Sequence, residues 1–325
     1  MNHPGRKMNT LFLITLILYL VTVMFLSLLA QRSLGIGLIS MLIVGELAVV
    51  VPGLIFLLLF HCSIPEWIPI RPVRWSTIGF TLLLTFLIMP LLYFLNILSQ
   101  LFSSNVTVDL MEQTDGIPGA VLLLTVGLIG PVCEEITFRG VLFTGFKRSG
   151  RIVGAILWTA FLFGLFHMNL NQFGYAMVIG IVSALLVEGT GSLIPSLIMH
   201  ILVNSYNVIQ LLLIQYLSGF LGKDFSEIAD SAQEVLSQKT ILMTAGALLA
   251  PATIATALAA VTYIAILKRE GTMEHVRKIL RFKKGTDEEE GEAKSPILSV
   301  TGFIGIAICL FMIFGMETLL HLLGM

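Results

Sequence analysis

A chain of 325 residues that is 56% hydrophobic and only 12% charged is not built for water, and the balance marks a polytopic membrane protein. Its net charge of -1 argues against a nucleic-acid partner. The three cysteines, Cys62, Cys133 and Cys309, form no CxxC pair, so neither a disulfide framework nor a thiolate zinc site is expected.

Hydropathy predicts about nine spans of roughly 17–27 residues each. They lie near 11–30, 34–60, 78–100, 118–146, 152–168, 172–188, 193–216, 240–267 and 296–323. Backbone exposed to lipid must satisfy its own hydrogen bonds, so each span is expected to be a helix. The fold class is therefore all-α, a membrane bundle of about eight to nine transmembrane helices. The first span is longer than the ~7–15 residues of a signal-peptide core and reads as a retained helix. The second contains Gly45-Glu46 and Pro52, and a kink or a partly interfacial segment is expected there.

Lys and Arg in the loops set the orientation. Arg6 and Lys7, Arg71 and Arg74, Lys147 with Arg148 and Arg151, and the basic run from Lys268 to Lys284 all fall on one side of a nine-span chain, which is then cytoplasmic. Arg32 is the mild exception. On the other side, Asp224-Phe225-Ser226-Glu227 reads as the start of a short amphipathic helix, with an acid in place of the capping hydroxyl. The stretch from Lys268 to Ser295 turns from basic to acidic and reads as a solvated, partly disordered loop. Three parts follow: N-terminal membrane helices over 1–117, a polar-bearing helical core over 118–216, and an outer amphipathic segment, further spans and a charged loop over 217–325. Short loops and this charge pattern suit a prokaryotic plasma membrane.

Ionisable groups at bilayer depth are costly and usually functional. The fourth span holds Glu134, Glu135 and Arg139. On a helix Glu135 and Arg139 face each other four residues apart, in the favourable order for an ion pair. Glu134 is rotated about 100° from that pair and is free to face a cavity, as a general base must. The fifth span ends on His167, with Phe163 one turn earlier, where its ring would fix the imidazole. The seventh places Ser196, His200 and Asn204 on one stripe. Each feature alone has an ordinary structural explanation: a braced charge cluster, an interfacial histidine, or interhelical hydrogen bonds worth under ~1 kcal/mol each. Glu46 is a further intramembrane acid, expected to be structural.

Taken in order, Glu134-Glu135-x-x-x-Arg139, Phe163-x-x-x-His167 and His200-x-x-x-Asn204 resemble the motifs of the CAAX protease and bacteriocin-processing (CPBP, or Abi) family of intramembrane proteases, which includes the type II CAAX prenyl endopeptidases. The resemblance covers roughly residues 118–210. It implies an endopeptidase in which Glu134 and His167 activate water, His200 and Asn204 stabilise the oxyanion, and Glu135 and Arg139 orient the base. It also implies membrane lipid and a membrane-associated, possibly prenylated, protein or peptide as partners. On cofactors it leaves two options: none, or one divalent metal such as zinc on Glu134, His167 and His200, although no HExxH is present. A transporter with an ion relay, or a silent scaffold or immunity protein, are the competing readings; no internal repeat favours the first. One tension concerns depth. At 1.5 Å per residue from the cytoplasmic ends, Glu134 lies ~20 Å deep, His200 ~12 Å and His167 ~24 Å. A single site needs these to converge, through helix tilt or a kink at Gly130-Pro131.

Overall fold

The computed structural model describes residues 3–32, 36–103, 113–114, 116–221, 237–280 and 296–315. Within them the chain is helical and no strand occurs. The helices are α1 (Pro4–Gln31), α2 (Leu38–Leu59), the single turn α3 (Ile64–Trp67), α4 (Trp75–Ser99), α5 (Gly119–Lys147), α6 (Ile152–Phe166), α7 (Leu170–Thr190), α8 (Ile194–Leu221), α9 (Gln238–Glu270), α10 (Met273–Leu280) and α11 (Val300–Gly315).

Seven of these are long and apolar enough to cross a membrane, and α6 and α11 are shorter apolar helices. Each of the nine expected spans thus has its helix, and the protein is an integral, multi-pass membrane protein. Many large apolar side chains point outward, among them Phe25, Leu59, Phe86 and Phe220, as a surface solvated by lipid requires. Boundaries moved where flanking polar residues are carried on helical turns. Helix α1 begins at Pro4, so Arg6 and Lys7 ride on its first turns. Helix α2 is one helix through Pro52 rather than an interrupted segment.

Helix α5 packs against α2 and α8, with further contacts to α1, α6 and α7, while α4 lies along α9. An aromatic cluster fills the space beneath the polar residues. Phe138 meets Phe163 edge-on at 5.0 Å and Phe166 at 5.5 Å, and Phe12 of α1 meets Phe138 and Phe166. Helices α6 and α7 approach closely because glycine lines their contact. A Cβ on Gly180 would stand 2.8 Å from the Ala160 Cα, and one on Gly164 would stand 2.9 Å from the Phe173 carbonyl oxygen.

Part of the loop expected to be disordered is ordered helix. Helix α10 is docked by His275 Nε2, 2.8 Å from Glu188 Oε1 of α7. Lys147 at the end of α5 holds the other oxygen of that carboxylate. Tyr263 of α9 donates to the Leu185 carbonyl at 2.7 Å, so α9 is tied to the same helix. The amphipathic segment beginning at Asp224 and the acidic run at 287–290 lie outside the described residues.

Candidate active site

Helix α5 carries the acid pair on a short α-helical stretch, Gly130–Glu135, between two π-helical ones, Leu123–Ile129 and Ile136–Leu142. Such wide turns are rare and concentrate at functional sites. They advance less along the axis per residue than α turns, which shortens the path from Lys147 to Glu134. Thr137 helps to hold the wide turn. Its hydroxyl lies 2.9 Å from the Cys133 carbonyl oxygen and 3.1 Å from that of Val49 in α2.

Glu135 is fully buried and serves as a hub. Its Oε1 lies 3.4 Å from Arg139 Nη1, 2.9 Å from His200 Nδ1 and 3.3 Å from Ser183 Oγ, and its Oε2 accepts from Ser196. One carboxylate thereby ties α5, α7 and α8 together. The Arg139 guanidinium is buried as well and lies over the face of Phe163, 4.0 Å from its centroid. The expected ion pair between Glu135 and Arg139 is present.

Phe163 also fixes both imidazoles. It meets the His167 ring edge-on at 4.9 Å and the His200 ring at 5.7 Å. The Nδ1 of His167 lies 2.9 Å from the Phe163 carbonyl oxygen. A carbonyl can only accept, so Nδ1 carries the hydrogen and Nε2 is left with a free lone pair. After His167 the chain turns sharply. Met168 adopts φ 48°, in the left-handed region that non-glycine residues seldom enter. Asn169 then caps α7 by accepting from the Gln172 amide at 3.2 Å.

This turn brings His167 and Gln172 to one cavity of about 110 Å³. Glu134 of α5, Tyr19 of α1 and Glu46 of α2 complete its polar lining, with Val49 and Phe166 as apolar walls. Glu134 and His167 are therefore brought together at one cavity.

Glu134 is not the unpaired acid that helical spacing implies. Its Oε2 lies 3.3 Å from His200 Nε2, so the His200 ring stands between the two glutamates with a nitrogen toward each. Helix α8 crosses α5 closely enough for one imidazole to reach both, which rotation about α5 alone does not reveal. Asn204 lies one turn beyond His200, and its Nδ2 donates to the Val126 carbonyl at 3.3 Å. Neither His200 nor Asn204 is among the residues lining the cavity. Among the described residues, no group of three or more His, Cys, Asp or Glu side chains is arranged to hold a metal ion, so Glu134, His167 and His200 do not fit a three-ligand centre in this arrangement.

Tyr19, Gln172 and Ser183 were not singled out by the sequence, and Glu46 was assigned a structural place. The intramembrane position of Glu46 was the available signal; the others show no pattern that separates them from ordinary helix polar residues.

Residues 116–206 match the family model of type II CAAX prenyl endopeptidase Rce1-like proteins. The matched segment contains all three motifs, and this is the protease family they resemble. No curated protein and no solved structure matches the chain. Tyr19 and Glu46 lie outside the matched segment.

Proposed function

We propose that this protein is an intramembrane endopeptidase that hydrolyses a peptide bond of a membrane-associated protein or peptide. The observation that carries the reading is that Glu134 and His167 line one polar cavity inside an apolar bundle, with Nδ1 of His167 held by the Phe163 carbonyl. The free Nε2 of His167 can accept a hydrogen bond from water, and Glu134 can take its proton as the oxygen attacks the peptide carbonyl. No metal is needed for this step.

His200 links the base to the buried hub. Its Nδ1 hydrogen bonds Glu135, which leaves Nε2 to share a proton with Glu134. When that proton resides on the nitrogen, His200 can donate to the oxyanion. Asn204 supplies a second donor once its amide leaves the Val126 carbonyl. Glu135 and Arg139 hold the imidazole in place and do not meet the substrate. The cavity accommodates several water molecules. At about 110 Å³ it is well below the ~300–1,000 Å³ of ordinary ligand pockets, so the helices must part to admit a peptide. A lipidated protein, as the name of the matched family describes, is the substrate class to test first. The catalytic face is assigned to a core over 118–216, in a chain oriented with its basic loops in the cytoplasm.

The test compares membrane peptides in cells carrying the wild-type chain or Glu134→Gln. An uncleaved precursor should accumulate in the variant, whose cleavage rate should fall by about 10²–10⁴-fold. Identical peptide populations, with both proteins present in equal amount, would refute the assignment.

A further inference from the structure

Glu46 sits on α2, far from the matched segment, yet its side chain lines the cavity with Glu134 and His167. Its Oε2 is buried and has no hydrogen-bond partner. On the other side its carboxyl group rests against the backbone of α5, where a Cβ on Gly130 would stand 3.5 Å from Oε1. The position is fixed by the hydrogen bond from Thr137 to the Val49 carbonyl, one turn farther along α2. Among the described residues no lysine, arginine or histidine forms an ion pair with it, in contrast to Glu134, Glu135 and Glu188. Its neighbours in the cavity are Tyr19 of α1, Glu134 of α5 and His167.

Hydrolysis needs a proton at the departing nitrogen. Both nitrogens of His200 face carboxylates, and Nδ1 of His167 is committed to a carbonyl. Glu46 brings a further carboxyl group, with one oxygen that has no hydrogen-bond partner, to the lining of the same small cavity.

We infer that Glu46 is the proton carrier of the reaction, placed to pass the proton taken from water to the leaving amine. The inference rests on the endopeptidase reading. As the water oxygen bonds to the peptide carbon, its proton moves to Glu134. Cavity water then relays a proton to Glu46, and Glu46 gives it to the nitrogen as the carbon–nitrogen bond breaks. The net change is one water consumed, an acid and an amine released, and both glutamates returned to their starting state.

The experiment measures kcat, KM and the pH dependence of kcat for wild type, Glu46→Gln and Glu46→Asp, with the full chain in liposomes and the peptide found in the Glu134→Gln comparison. Glu46→Gln should lower kcat by about 10²-fold with KM changed less than about twofold, and should remove one limb of the pH profile. Glu46→Asp should restore part of the rate and the missing limb. Glu46→Gln with wild-type kcat and an unchanged profile would overturn the inference and leave the endopeptidase standing. A fall in Tm without a specific fall in kcat would overturn it too, by showing a merely structural acid. A wild-type chain that cleaves nothing would remove the endopeptidase reading and the proton carrier together.

Discussion

The protein builds the same trio twice, a buried carboxylate held between a cation and an imidazole, and uses it differently each time. In the interior Glu135 is held by Arg139 and His200; at the end of α7, Glu188 is held by Lys147 and His275. Arg139 is only 2% exposed whereas the His275 side chain is 55% exposed, so the first trio is sealed and the second opens to the surroundings. The imidazoles separate the two further. His200 reaches beyond its carboxylate to a second one on a cavity wall, while His275 belongs to a peripheral helix. A shared motif thus braces the cavity wall proposed for acid–base chemistry in one place and latches α10 in the other. What surrounds the imidazole, more than the trio itself, decides which.

The comparison can be broken at the interior trio first. Replacing Glu135 with Leu leaves Arg139 and His200 without their carboxylate, and removing one partner of a buried pair costs about 3–5 kcal/mol. Thermal unfolding in detergent should show a large fall in Tm together with complete loss of cleavage. A variant that unfolds like wild type would mean that Glu135 is not the hub. Asn204→Ala sharpens the assignment on the cavity side. The hydrogen bond to Val126 alone is worth about 0.6 kcal/mol in a membrane protein, so Tm should hardly move. An oxyanion donor is worth about 10²–10³ in kcat, and a loss of that size at nearly constant KM is expected. Unchanged kcat would confine Asn204 to packing. The smallest effect belongs to the peripheral trio. Glu188→Gln should lower stability by about 1–2 kcal/mol and quicken proteolysis near α10, with kcat within about twofold of wild type. A strong kcat loss there would show that the latch communicates with the site.

Much of this arrangement can be read without coordinates, and the exceptions share a cause. Long apolar runs declare their helices because lipid imposes a length and forbids unsatisfied backbone. The i,i+4 spacing from Glu135 to Arg139 and the one-turn spacing from Phe163 to His167 are local, and both contacts occur. Contacts between helices are another matter. That His200 bridges two glutamates depends on how α8 crosses α5, and that Glu46 meets Glu134 depends on the face α2 turns inward. Neither quantity leaves a period in the chain. The π-helical turns of α5 disturb the 3.6-residue count as well, so depths reckoned along an ideal helix are not those of the structure. Helix α10 was hidden for a different reason: eight residues rich in charge resemble a solvated loop until a distant carboxylate is known to hold them.

The two sides of the chamber come from different stretches of polypeptide. Tyr19, Glu46 and Val49 precede residue 116, whereas Glu134, Phe166, His167 and Gln172 lie within 116–206. The cavity is therefore assembled from residues inside and outside the matched segment. On the proposed function, exchanging the first two helices for others of matching shape would retune what the cavity admits, or how it handles protons, while every side-chain bond to Glu135 stayed as it is. Anyone seeking altered selectivity would begin with the half of the pocket that carries no motif.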